Sequence, residues 1–223
     1  MGKLVIIEGI DGSGKTTISK QLNDILSTIY KSIYINRKDF EVDSVFVNKF
    51  MSNIKKSLWE STSTDPINEI DEEGWLYIHV LWYHLFQKNY LEPMLEQYDY
   101  VIMDGWFYKF WARHLTNGGV DIDYSKQIIS RLCKGDIVFY LKVNPCVCFY
   151  RKENCNQAEL GILGDTKGSS PEEKFVDYQS RVQTQYEQMS RELKFVDLDA
   201  NCKITYIIEQ IIDYLEKDAG RKL

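Results

Sequence analysis

The segment Gly9-Ile10-Asp11-Gly12-Ser13-Gly14-Lys15-Thr16 constrains this chain more than any other stretch. It fits G-x-x-x-x-G-K-[ST] at every fixed position, and its surroundings fit as well. Before it, Leu4-Val5-Ile6-Ile7 is a continuous apolar run, the pattern of a strand buried on both faces. After it, Ile18, Leu22, Ile25, Leu26 and Ile29 recur at helical spacing. A strand, a glycine-rich turn and a helix in that order point successive backbone N–H groups into one concavity at a helix N-terminus. Partial positive charge gathers there, so phosphate binds there. The ligand-binding set is Gly9, Asp11, Gly12, Ser13, Gly14, Lys15, Thr16 and Thr17. Lys15 supplies a point charge for terminal phosphates, and the Thr16 hydroxyl is a ligand for Mg²⁺.

Strand and helix patterns then alternate to the end of the chain. Ser32–Asn36, Asp99–Met103, Asp136–Val143 and Lys194–Leu198 read as further strands. Between them lie helices expected over Thr16–Tyr30, Val42–Trp59, Ile70–Gln97, Phe107–Leu115, Tyr124–Leu132, Pro171–Leu193 and Lys203–Lys217. Asn144-Pro145 opens a shorter helix to about Glu153. Ser61–Pro66 reads as a loop. Pro93 is expected to kink the long helix or change its register. Asn154–Ser170 is polar, carries three glycines and reads as a mobile segment with little local structure. The alternation predicts an α/β fold, a five-stranded parallel sheet flanked by helices, as one domain over residues 1–223.

The chain has 27 Lys and Arg against 33 Asp and Glu, a net charge of −6. That balance argues against a nucleic acid polymer as partner, which would require a basic face. No apolar run approaches a membrane span, and five cysteines without a pairing pattern suit a reducing, cytoplasmic setting. Cys146, Cys148 and Cys155 cluster, yet no second ligand pair completes a zinc pattern, so they read as small apolar residues.

Asp104 ends the third strand, and Glu8 ends the first. In parallel sheets ligands bind beyond the carboxyl ends of the strands, where a carboxylate can hold Mg²⁺ or accept a proton. The plainer reading of Asp104 is a helix cap. Arg37, just past the second strand, is either a phosphate clamp or a solvated surface residue.

These features together resemble the thymidylate kinase family of P-loop kinases. Glu8 to Thr17 resembles the family's opening E-G-x-D-G-x-G-K-T-T. Pro93 and the strand ending at Asp104 match the spacing before its D-R-[YH] motif, Asp136–Val143 with Asn144-Pro145 matches its fourth strand, and Phe175 to Tyr186 resembles its F…R-V…Y helix. The resemblance implies a P-loop kinase fold with a lid, here about residues 154–170, ATP and Mg²⁺ as cofactors, a small-molecule phosphate acceptor and often a homodimer. It implies that Lys15, Asp104 and Arg151 are catalytic and that Thr16 and Asp104 hold the metal. Asp11 would contact an acceptor sugar hydroxyl, Arg37 the acceptor phosphate, and His79, Tyr83 and His114 the rest of the acceptor.

The departures are specific. The family's Asp-Arg pair is here Asp104-Gly105. His79 and Tyr83 stand where a Phe and an Arg usually meet thymine, and His114 stands in place of a Gln. Gly12 removes a catalytic arginine from the P-loop, and the lid region offers Arg151, Lys152 and Lys167. Lys109 or Arg113 could return a positive charge to the pocket. The leading expectation is ATP-dependent phosphoryl transfer to a nucleoside monophosphate, with dTMP as a poor acceptor. The alternatives are a nucleoside or other small-molecule kinase, and a nucleotide-binding protein with degenerate kinase activity. Without the resemblance, Trp75, His79, Tyr83, Trp82, Phe86 and Tyr90 read as packing residues on one long helix.

Overall fold

A computed structural model describes residues 1–60, 65–152, 154–161 and 167–220. Among them, five strands form one parallel sheet in the order β2-β3-β1-β4-β5. They are β1 (Lys3–Glu8), β2 (Ser32–Ile35), β3 (Tyr100–Met103), β4 (Ile137–Lys142) and β5 (Val196–Asp199). Central strands read as unbroken apolar runs because both faces are covered: Leu4 to Ile7, all of β3, and Ile137 to Leu141 are buried. The edge strands bury one residue each, Ile35 and Leu198. The parallel fold and the five strands agree with the sequence expectation, with strand ends shifted by one or two residues.

Helix α1 (Lys15–Leu26) packs against α9 (Ile204–Ala219). A second layer contains α2 (Val45–Trp59), α3 (Glu72–Phe86), α5 (Phe107–Asn117) and α8 (Pro171–Leu193). The shorter helices are α4 (Glu92–Gln97), α6 (Ile122–Ile129) and α7 (Pro145–Tyr150). Local chemistry sets many of their starts. Ser44, Asp71, Asp121 and Asn144 each accept a backbone N–H of the first turn, and Ser170 with Glu173 forms a reciprocal capping box.

The single long helix expected over Ile70–Gln97 is three segments. Between α3 and α4, Gln87–Leu91 forms a π-turn in which the Glu92 N–H reaches back five residues to the Gln87 carbonyl. Pro93 has no N–H to continue the α-ladder, so the register changes just ahead of it. Helix α7 ends at Tyr150, short of the expected Glu153, which lies outside the described residues. Most of the Ser61–Pro66 loop lies outside them as well, at residues 61–64.

The described part of the segment expected as a lid forms turns and bends with no helix or strand, but it is tied down by hydrogen bonds. The Glu159 N–H donates to Asn156 Oδ1, and Glu159 accepts from the Asn156 N–H and from Lys152 Nζ. Gln179 Nε2 on α8 donates to the Glu159 carbonyl at 2.9 Å. Residues 162–166 of the expected lid lie outside the described residues.

Glu8 ties the sheet to both neighbouring segments. It is fully buried, accepts the Trp106 N–H at 2.6 Å and accepts the Tyr186 hydroxyl at 2.7 Å. Burial pushes its carboxyl pKa upward while those two donors pull the other way. It is therefore an anchor of the fold, not an open metal ligand. Tyr186→Phe leaves one carboxylate oxygen without a donor and is expected to cost about 1–3 kcal/mol. Urea unfolding with an unchanged slope and a lowered midpoint is the expected result.

Candidate active site

The P-loop and the Asp104 turn leave the carboxyl ends of the adjacent strands β1 and β3. Gly12 has φ +81°, and a Cβ there would stand 2.6 Å from the Cys148 carbonyl oxygen on α7. Only glycine lets the loop lie that close. Lys15 is half-buried and folds over the loop: its Nζ donates to the Gly9 carbonyl at 2.8 Å, the Ile10 carbonyl at 2.7 Å and Ser13 Oγ at 3.4 Å. Thr17 follows in the first turn of α1 and is exposed.

Thr16 Oγ1 donates to Asp104 Oδ2 at 2.5 Å. The helix after Asp104 begins with Trp106 as its cap and makes no side-chain cap bond, so Asp104 does not cap it. One hydroxyl and one carboxylate are hard oxygen donors of the kind Mg²⁺ takes beside phosphate and water. The residues present fit that metal.

Asp11 is 6% exposed, and both its oxygens are engaged. Oδ1 pairs with Lys109, and Oδ2 pairs with Arg113 Nη2 at 2.6 Å. Gln179 accepts the Asp11 N–H and lies 3.5 Å from Oδ2. Burial opposes ionisation, yet Lys109, Arg113 and Lys15 together hold the Asp11 carboxyl well below the usual carboxylate range. The carboxylate expected to meet a sugar hydroxyl is thus already occupied by two cations.

Two cavities meet at this point. The first, about 670 Å³, runs along Asp11 to Ile18 and reaches Arg151, Lys152, Ala200 and Cys202. Arg151 Nη2 donates to the Ala200 carbonyl at 3.2 Å on its far side. The second, about 530 Å³, is walled by Trp59, Trp75, His79, Tyr83, Phe110, His114 and Tyr178. Arg37, Lys38, Lys109 and Glu159 line both.

Arg37 lies over the Trp59 ring at 5.6 Å, and its Nη1 is 3.5 Å from the Gly105 carbonyl. Its Nε is buried without a hydrogen-bond partner among the described residues. Gly105 has φ +93°, and a Cβ there would stand 3.2 Å from Arg37 Nη1. The Arg37 guanidinium, arriving from the β2 end, thus lies in the space that a side chain at 105 would enter.

The rings expected at the acceptor are together. His79 stacks on Phe110 at 5.0 Å and 8°, and Tyr83 stacks on Phe110 at 5.0 Å and 21°. His79 Nδ1 lies 2.8 Å from the Trp75 carbonyl, so Nδ1 carries the proton and Nε2 is a lone-pair acceptor. Tyr83 is buried and turns its hydroxyl to the Trp106 carbonyl, presenting only ring to the cavity. His114 is buried with Nδ1 2.6 Å from Glu72 Oε2, which leaves its edge against His79. Phe110, Trp59, Gln179 and Glu159 escaped the sequence reading. The spacing of Lys109 with Arg113, and of Phe110 with His114, was a visible signal: a cationic stripe beside an aromatic one on a single helix.

The thymidylate kinase family model matches residues 7–211. Probable thymidylate kinase 2 of Saccharolobus solfataricus is 29% identical over 206 residues, covering 90% of this chain and 89% of that protein. Probable thymidylate kinase of Sulfurisphaera tokodaii is 25% identical over 218 residues, with 96% of each chain covered. Thymidylate kinase of Brachyspira hyodysenteriae is 30% identical over 145 residues, 64% of each. No helix among the described residues is long and apolar enough to cross a membrane.

Burial first, and the His114 ring second, push His79 down from its ordinary 6.5 to about 3. The folded protein thus refuses a proton that the unfolded chain takes up. Its stabilising contribution is complete above pH 6.5 and declines as pH falls toward 3, by at most about 1.4 kcal/mol per pH unit. His79→Phe is expected to flatten the acid limb of stability against pH in that window. An unchanged acid limb in chemical denaturation from pH 4 to 7 would contradict it.

Proposed function

The chain belongs to the thymidylate kinase family of ATP-dependent nucleotide kinases, and on that premise we propose that it transfers the terminal phosphoryl group of ATP to a nucleoside monophosphate held in the aromatic cavity. The carrying observation is the junction of the two cavities, where Arg37, Lys38 and Lys109 stand between the P-loop and the ring-lined end. A nucleoside kinase has no acceptor phosphate to bind there. A buried Arg37 Nε without a partner supports an acceptor that arrives with its own anion.

The donor phosphates lie against the N–H groups of the P-loop and the start of α1. Lys15 exchanges its bonds to the Gly9 and Ile10 carbonyls for phosphate oxygens. Thr16 and Asp104 would hold Mg²⁺, which would neutralise charge on the donor phosphates. Arg37 positions the acceptor phosphate, and Arg151 with Lys152 borders the donor cavity. The acceptor phosphate is already an anion, so no side chain has to remove a proton from it. Positioning and charge neutralisation supply the catalysis.

The acceptor end differs in chemistry from one that reads thymine with an arginine fork. Tyr83 offers a ring face and His79 a neutral lone pair. Each lost charge-assisted contact costs about 1.5–3 kcal/mol, or one to two powers of ten in affinity. We expect dTMP to be a poor acceptor. A coupled assay of ATP against dTMP, other monophosphates and unphosphorylated nucleosides tests this. Turnover of dTMP at about 1–100 per second would show that the rebuilt pocket still accepts thymine. Turnover confined to unphosphorylated nucleosides would overturn the monophosphate reading.

Asp104→Asn is expected to lower kcat by about 100-fold or more while leaving ATP binding within about threefold, because the carboxylate acts on the metal. Near-native turnover in that variant would remove Asp104 from the reaction.

A further inference from the structure

We propose that Lys109 is the cation that bridges donor and acceptor phosphates during transfer, and that Asp11 is the residue that positions it. This rests on the kinase reading above.

Four residues border both cavities, and three of them are cations. Arg37 is turned to the acceptor side, over Trp59 and beside Gly105. Lys38 is exposed on the loop after β2, and its ammonium has no partner among the described residues. Lys109 is different. It stands on α5, its side chain is 17% exposed, and Asp11 of the P-loop holds its ammonium. A cation fixed before the reaction stabilises developing charge without reorganisation, which a lysine on an exposed loop does not.

Donor counting points the same way. An ammonium has three N–H groups. Lys15 rests all three on the loop, on the Gly9 and Ile10 carbonyls and Ser13 Oγ, and the two it would release from the carbonyls are committed to the donor phosphates. Lys109 uses one, since Asp11 is its only hydrogen-bond partner among the described residues. Two donors remain for a ligand. Charge counting agrees while Lys109 is protonated: Arg113 shares the same carboxylate, so Asp11, Lys109 and Arg113 then carry one net positive charge at the cavity junction. Burial, with Arg113, Lys15 and Arg37 nearby, lowers the Lys109 pKa to about 7 against the pull of Asp11, and phosphate anions beside the ammonium would raise it again.

In the transfer step an acceptor phosphate oxygen gives an electron pair to the terminal phosphorus of ATP. The bond from that phosphorus to its bridging oxygen breaks, and the pair leaves on ADP. No proton moves and no electron is gained or lost overall. Negative charge is spread over the equatorial oxygens of the group in flight, between donor and acceptor. Lys109 borders both of the spaces those two partners would fill.

The test uses the full chain with Lys109→Gln, and Lys109→Met as a second variant that keeps the packing of the stem. The unaltered protein is first assayed with ATP against the common nucleoside monophosphates. On the best acceptor, the variant that folds is expected to lose about 100-fold or more in kcat, with both KM values within about threefold. Lys109→Arg, which keeps the charge, is expected to recover a substantial part of kcat. A binding measurement separates bridging from simple support. The probe is adenosine joined through five phosphates to the acceptor nucleoside, titrated by calorimetry. Loss of Lys109 is expected to weaken this probe by about 30-fold while ATP alone changes by less than about threefold, because only the probe spans both cavities.

A kcat within about fivefold of the unaltered protein, or equal weakening of the probe and of ATP alone, overturns the bridging role. Those results leave the kinase reading standing. Absence of turnover by the unaltered protein on every monophosphate overturns that reading, and this inference with it.

Discussion

Asp11 leaves the P-loop and meets two cations that stand one helical turn apart on α5. A carboxylate with so little exposure is costly unless it is paired and hydrogen-bonded, and removing one partner of such a group leaves uncompensated charge. Its position is therefore fixed by the requirement that all its partners stay. Gln179 extends the constraint to α8 and, through the Glu159 carbonyl, to residues 155–161, which line the second cavity. The P-loop, α5 and that segment share one electrostatic knot. The sheet beneath is held to the same helices by a second buried carboxylate, Glu8.

The polar and apolar parts of the site are separated along its length. The P-loop lies at one end, cations at the middle, and stacked rings at the other. Among these stacked rings burial keeps His79 unprotonated at physiological pH. A ligand with a flat ring at one end and a phosphate at the other fits this gradient in one orientation only. The reverse orientation would place an anion against the faces of Phe110 and Tyr83, whose negative π-faces repel it.

The frame was legible in the sequence because its signals are local. Leu4 to Ile7, the glycine spacing and the apolar periodicity of α1 lie within one short stretch, and Pro93 marked the place where the helix register changes. The acceptor walls were half legible. His79, Tyr83 and His114 were found through a resemblance, yet Phe110, on which two of them stack, was not. Nothing in the sequence of α5 states which rings of α3 will lie against it, because that depends on how two helices far apart in sequence pack. Asp11 shows the same limit in electrostatics. The sequence reading set Asp11 against a sugar hydroxyl, but its two cations lie about a hundred residues away, and only the folded chain reveals that its oxygens are taken.

Gly105 and Arg37 form a pair whose members depend on each other. The glycine holds a left-handed backbone that other residues tolerate poorly, and its missing side chain leaves the space the guanidinium uses. An arginine introduced at 105 into this chain would meet both obstacles at once, so the two positions are not additive. A side chain added at 105 must displace the guanidinium or bend the backbone, so a second cation cannot simply be added beside the first. Room for charge at this end of the sheet is finite, and Arg37 already uses it.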